Sequence, residues 1–271
     1  VSPELFPDDA ALREQPSVAR IYDYVLGGGN NFAVDRAAAE KILAVFPGYR
    51  EFALANRAFL LRAVRRLLDL GIRQFLDLGC GLPTVGSVHE IAHRTAPESR
   101  IVYVDRDPIA AAACSMLTLG DDRIGVVETD LREVDCVLKS PAVTELLDLD
   151  EPVGLLMVAV LHFLTDDAEL TDTMNAYHER LAPGSWLVAS HATGDSLGRT
   201  STAAAEELFA RFGVRVAART QSEFASLVPP WQATSEGVVP TNTWRRDGQL
   251  DKLPTASLGY AVIAAHGGSG G

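Results

Sequence analysis

The chain has 271 residues, 47% of them hydrophobic, and a formal net charge of −12. That apolar content suffices for one large buried core, while the acidic balance argues against a general nucleic-acid binder, which needs a basic face to neutralise phosphates. No apolar run approaches the roughly 20 residues that cross a bilayer, the N-terminal stretch lacks a secretory pattern, and the three cysteines, Cys80, Cys114 and Cys136, stand at no framework spacing, which fits reduced thiols in a cytoplasm.

Residues 1–16 read as an irregular lead-in. Ser17 offers an N-cap to "VARIYDYVL", whose apolar and aromatic residues at 18, 21, 22, 25 and 26 have helical spacing. Gly27, Gly28 and Gly29 stop that helix, and Asp35 opens a second, "RAAAEKILAVF", ending at Pro47-Gly48. A third covers about 50–70, with Arg57, Arg62, Arg65 and Arg66 reading as a mostly solvated face. These helices are expected to form an N-terminal extension over 1–70, ahead of a sheet-forming domain over 71–266 and a flexible tail over 267–271.

From residue 74 the rhythm alternates. "QFLDLGC", "RIVYVD", "IGVVETD", the start of "PVGLLMVAVLHFL", "GSWLVASHAT" and "GYAVIAAH" are strand-like. Between them lie helical patterns at about 84–95 and in "PIAAAACSMLT", "TDDAELTDTMNAYHERL" and "TAAAEELFARF". Nearly all-apolar strands alternating with helices mean an α/β fold, a mostly parallel sheet covered on both faces. The stretch 214–256 is irregular, with one possible strand at 236–239.

In such sheets ligands bind at the carboxyl ends of the strands. "FLDLGCGLPTVG" puts Gly79 and Gly81 at the first of these ends, where a backbone without side chains can approach a ligand. A dinucleotide fingerprint would need glycine at Thr84, which disfavours a nicotinamide-dependent oxidoreductase. Asp77, just ahead of the glycines, suits a cationic group such as an ammonium. Asp105 ends the second strand, where an acid can accept both ribose hydroxyls. Together they suggest an adenosine ligand without phosphate.

This pattern resembles the class I S-adenosylmethionine-dependent methyltransferases. "LDLGCG" looks like their first motif, "VYVDRDP" their second, "VVETDLRE" their third and "LAPGSWLVAS" the turn into their fifth strand. "ARIYDYVLGGGNNFAVDRAAAE", "FLDLGCGLPT", "VAVLHFL" and "SHAT" are similar, more narrowly, to an actinobacterial family of predicted methyltransferases, which usually has Gly-Gly-Lys-Asp-Asn where this chain has Gly28, Gly29, Asn30 and Asn31 after Gly27. The resemblance implies a Rossmann-like fold with a seven-stranded, mostly parallel sheet whose last strand is antiparallel. It implies S-adenosylmethionine as methyl donor, S-adenosylhomocysteine as product and a small-molecule acceptor. It implies donor contacts from Asp77, Gly79, Gly81, Asp105 and Arg106, from Asp130 and Leu131 around the adenine, and from Tyr22, Gly28 and Asn31 in the opening stretch, read as a lid. A non-catalytic S-adenosylmethionine-binding protein remains the other reading.

"HEIAH" at 89–93 has the spacing of a zinc-protease helix, but Ala96 and Ser99 stand where the extended pattern needs glycine and a third histidine. A solvated helix face is expected there, and no metal. His162, closing "LLMVAVLHFL", falls near the tip of the fourth strand, either as a base or acceptor-orienting group or as a half-buried histidine shaping the pocket. His191 follows the fifth strand in the same way, and Asp166 and Asp167 are expected to cap the next helix.

Overall fold

The computed structural model describes residues 14–83, 86–245 and 258–267. Most of the lead-in, Thr84, the stretch 246–257 and the tail from 268 lie outside the described residues.

Three helices come first: α1 (Val18–Val25), α2 (Ala33–Val45) and α3 (Tyr49–Asp69). Ser17 stands at the N-cap of α1 but makes no capping bond. Its N–H goes to Asp35 at 3.0 Å and its hydroxyl to the Asp107 carboxylate, so it ties the helix to the sheet domain instead. Asp35 sits in the first turn of α2 and accepts the Phe32 N–H at 2.8 Å, a placement that also suits the helix dipole.

The alternating part follows as β1 (Gln74–Leu78), α4 (Val88–Thr95), β2 (Arg100–Asp105), α5 (Pro108–Leu117) and β3 (Ile124–Glu128). Then come α6 (Val134–Leu138), α7 (Pro141–Leu146), β4 (Gly154–Met157), a 3-10 turn (Leu161–Phe163), α8 (Asp167–Arg180) and β5 (Trp186–Ala192). The chain closes through α9 (Arg199–Arg211), α10 (Gln221–Leu227), β6 (Gln232–Ala233), β7 (Val239–Pro240) and β8 (Gly259–Ala265). Asp166 caps α8 by accepting from Ala168 and Glu169 N–H, as its position suggested. Asp167 instead pairs with Arg219 at 2.6 Å.

The strands run in the order β3-β2-β1-β4-β5-β8-β6, with β7 also on β8. The first five are parallel, and β8 is antiparallel to β5. The strand count is eight rather than the seven expected, because 232–240 supplies two separate two-residue strands, each paired with β8. Side chains alternate across the sheet. Leu76, Leu78, Val102, Val104, Leu155 and Leu187 enter one core with Tyr177 and Phe224. Phe75, Ile101, Tyr103, Leu156 and Val188 enter the other, against Phe59, Ala63, Val64 and Leu67 of α3. A third core joins α1 and α2 to Tyr49, Phe52 and Ala53 at the start of α3 and to Phe209 of α9. α3 thus belongs to two cores, and Arg62 corrects the reading of a solvated arginine face: it is 6% exposed and donates to the carbonyls of Trp244 and Thr241.

Candidate active site

The strand order reverses between β1 and β4, and a cavity of about 500 Å³ opens over that point. Its floor is the strand tips and their loops, its cover α1, its side α3, and its far end the 3-10 turn with Phe212, Gly213 and Val214. Of the residues singled out in the sequence, Asp77, Gly79, Gly81, Asp105, Arg106, Asp130, Leu131, Tyr22 and His162 line it.

Gly79 and Gly81 have φ of +71° and +64°, where side chains are strained. A Cβ on Gly79 would also collide with Val160, so the loop lies flat beneath the fourth-strand segment. Asp105 shapes this loop: its carboxylate accepts Gly81 N–H at 2.7 Å and Asp107 N–H at 2.9 Å, leaving one lone pair on each oxygen. Burial raises its pKa. Asp130 is held ionised, down to about 2, chiefly by its hydrogen bonds to Arg132, with Arg106 3.4 Å away. Leu131 is buried, and its carbonyl accepts the Tyr177 hydroxyl at 2.8 Å.

Asp77 differs from these acids. It is 7% exposed, its carboxylate makes no hydrogen bond among the described residues, and burial pushes its pKa up to about 7. The nearby Arg57 guanidinium pulls the other way. A buried carboxylate without donors is suited to a cationic ligand group.

Gly28 and Asn31, expected among the ligand contacts, do not line the cavity. They serve Asp23, which does. The Asp23 carboxylate accepts Asn30 N–H and Asn31 Nδ2, both at 2.9 Å, and a Cβ on Gly28 would overlap it. Gly27, at φ +87°, ends α1. The glycines therefore let the chain turn tightly around one buried carboxylate. Tyr22 covers the cavity from α1, donating to Ala53 O at 3.0 Å, and burial pushes its hydroxyl up to about 12.

At the far end His162 is 7% exposed and its Nδ1 is buried without a partner. Burial first, then His191 and Arg219, push its pKa well below the usual histidine value, so the ring is neutral. His191 does not line the cavity; its Nδ1 donates to Ala192 O and its Nε2 accepts from Arg219, both at 2.7 Å. Behind the fourth strand Ala159 takes φ +58°, held by its N–H on Ser190 Oγ at 2.8 Å, which in turn donates to Asn56 of α3 at 2.5 Å.

Among the described residues no cluster of three or more histidine, cysteine or acidic side chains has metal-binding geometry. His89 of "HEIAH" turns to the Tyr103 hydroxyl at 2.8 Å and His93 to Ser99 O at 2.9 Å.

Sequence reading missed Asp23, Arg57 and the wall of Tyr49, Phe52 and Asn56. The last three recur at intervals of three and four, one face of α3, a signal that its arginines obscured.

The model of the S-adenosyl methyltransferase family matches residues 9–267. The chain belongs to that family. It is a methyltransferase that uses S-adenosylmethionine. A candidate methyltransferase from Thermobifida fusca is similar at 34% identity, with a TM-score of 0.87 over 94% of this chain and 97% of that one. A DUF574 family protein from Streptomyces avermitilis is similar at 31% identity, with a TM-score of 0.86 over 93% and 98% of the two chains. No curated protein sequence matches the methyltransferase. Among its described residues no helix is long and apolar enough to cross a membrane.

Proposed function

We propose that the methyltransferase acts on a small molecule, which enters the far end of the cavity beside His162. The observation that carries this reading is the enclosure of that end: Tyr49 and Phe52 of α3, His162 and Phe163 of the 3-10 turn and Phe212 wall it with side chains. Such a chamber suits a compact acceptor better than a protein segment or a nucleic-acid strand.

The donor's place follows from the charges. Asp77 would take its ammonium and Arg57 its carboxylate, with the backbone at Gly79 and Gly81 alongside. The free lone pairs of Asp105 would take the ribose hydroxyls, and Asp130, Leu131 and Arg106 would border the adenine. Tyr22 would cover the donor, while Gly28 and Asn31 act through Asp23. The bound donor supplies an electrophilic methyl group on a sulfonium. The protein's task is then to align the acceptor and exclude water.

Incubation of the protein with methyl-labelled S-adenosylmethionine and a fractionated cell extract tests the reading. Label is expected in the small-molecule fraction; label confined to protein or nucleic acid would overturn it.

A further inference from the structure

Resting on that reading of the cavity, we infer that the acceptor is an uncharged hydroxy-aromatic compound carrying a short apolar substituent, methylated on its hydroxyl with His162 as proton acceptor. Three observations converge on this class.

The first is the wall. Phe52 meets the His162 ring edge-on at 6.2 Å, Phe163 lies 4.2 Å from it, and Tyr49 stacks on Phe52 at 6.0 Å. Rings at these angles accept another ring by edge or offset face. The second is a smaller cavity of about 50 Å³ that shares Tyr49, Phe52 and His162 with the large one. Those three side chains form the partition. Beyond it the lining is largely apolar, including Leu197, Ala205, Phe209 and Val216. Its one acid, Glu206, accepts Ala218 N–H at 2.9 Å. The space admits a few carbon atoms.

The third is the histidine. His162 has an unpartnered buried nitrogen, while both nitrogens of its neighbour His191 are already bonded. Arg219 Nη1 bonds the His191 ring, its Nη2 donates to Leu164 O and its Nε to Asp167. His162 is therefore uncommitted at Nδ1, and of the partition's two titratable groups it is the one that can accept a proton, since burial pushes the Tyr49 hydroxyl up and keeps it protonated. A base weakened by burial beside a guanidinium suits an acidic hydroxyl of about pKa 10 far better than an aliphatic alcohol. An amine would arrive as a cation, and a carboxylic acid as an anion without a proton to give.

In the step, the carbon–oxygen bond forms as the carbon–sulfur bond breaks. The sulfur keeps that electron pair and becomes a neutral thioether. The hydroxyl proton passes to the His162 imidazole, and on to solvent as product leaves.

The test uses the full chain and four probes of one shape: para-ethylphenol, para-ethylcyclohexanol, para-ethylbenzylamine and para-ethylbenzoate. Calorimetry against the protein loaded with S-adenosylhomocysteine should show the phenol binding at least about tenfold tighter than the amine or the benzoate. Ala205→Leu should weaken para-ethylphenol about tenfold and leave phenol itself unchanged. His162→Gln should keep S-adenosylhomocysteine affinity and lower kcat for para-ethylphenol by about a hundredfold or more. The loss should be under about tenfold for para-nitrophenol, which is already ionised near neutral pH and needs no base. The inference is overturned by equal losses for the two phenols, by methyl transfer to the amine, benzoate or cyclohexanol in preference to the phenol, or by no phenol binding to the loaded protein. Failure of S-adenosylhomocysteine itself to bind would instead strike the donor assignment.

Discussion

A single side chain, Asp77, carries much of the expected pH behaviour. Its folded pKa, raised by burial to about 7, lies above the ordinary value of 3.8. The sign follows: the contribution of the protonated acid to stability is complete below about pH 4 and is lost as pH rises through about 7, by ~4 kcal/mol as an order of magnitude. Asp77→Asn should therefore raise the melting temperature of the ligand-free methyltransferase at pH 8 while weakening S-adenosylhomocysteine binding at least about tenfold. Wild-type affinity should rise with pH through about 7; thermal melts and calorimetry across pH 6–8 check both halves, and a flat profile would remove Asp77 from the ammonium site. Arg57→Gln should cost S-adenosylhomocysteine about tenfold and 5′-methylthioadenosine nothing, because that analogue lacks the amino-acid carboxylate. Asp105→Ala should weaken both ligands alike, having lost the ribose partner and the carboxylate that holds Gly81 N–H. The tip acids were legible in the sequence because they fall at the ends of apolar strand-like runs, Asp77 just ahead of the glycines. Arg57 was not, because a cationic residue on a helix looks the same whether it faces solvent or a cavity.

At the scale of elements, α1 and α2 are joined by a buried pair, Arg20 Nε on Asp35 Oδ2 at 2.8 Å, with the two side chains 2% and 0% exposed. Removing one partner leaves a charge buried, so Asp35→Ala should destabilise the fold by about 3–5 kcal/mol, measured by denaturant unfolding. Ser190→Ala should cost about 1–3 kcal/mol, since it strips the Ala159 N–H and the Asn56 oxygen of their shared partner across β4, β5 and α3. The glycine stretch illustrates what periodicity conveys and what it omits. Its interruption of a helix was plain, but that its turn encloses a carboxylate four residues behind the first glycine depends on packing. Gly28→Ala forces that turn against Asp23, and slower folding or a lower melting temperature is the expected result. Amide exchange across Tyr22–Phe32 should slow when S-adenosylhomocysteine binds; equal protection in both states would mean that the turn only ends a helix.

Taken whole, the parallel strands were readable because each is an apolar run between helices, but their order in the sheet was not. The 214–245 stretch was not, since strands of two residues leave no period to detect and depend on β8 for their hydrogen bonds. α3 was readable as a helix but not as a member of two cores. That double membership has a consequence for how the molecule melts. The core formed with α1 and α2 shares α3 with one of the sheet's cores, takes in Phe209 of α9, and reaches the α5 face through Ala19 and Phe32, and the cavity lies at this seam, with α1 on one side and the strand tips on the other. A ligand held by both sides adds linkage to that supplied by α3, by the apolar contacts of Ala19 and Phe32 and by the polar ties of Ser17 and Arg20 to Asp107. Differential scanning calorimetry should then resolve two overlapping endotherms for the empty methyltransferase, the lower belonging to the N-terminal core, and a single one under saturating S-adenosylhomocysteine. Occupancy of the site would thus be recorded as unfolding cooperativity, with α3 as the helix common to the two halves.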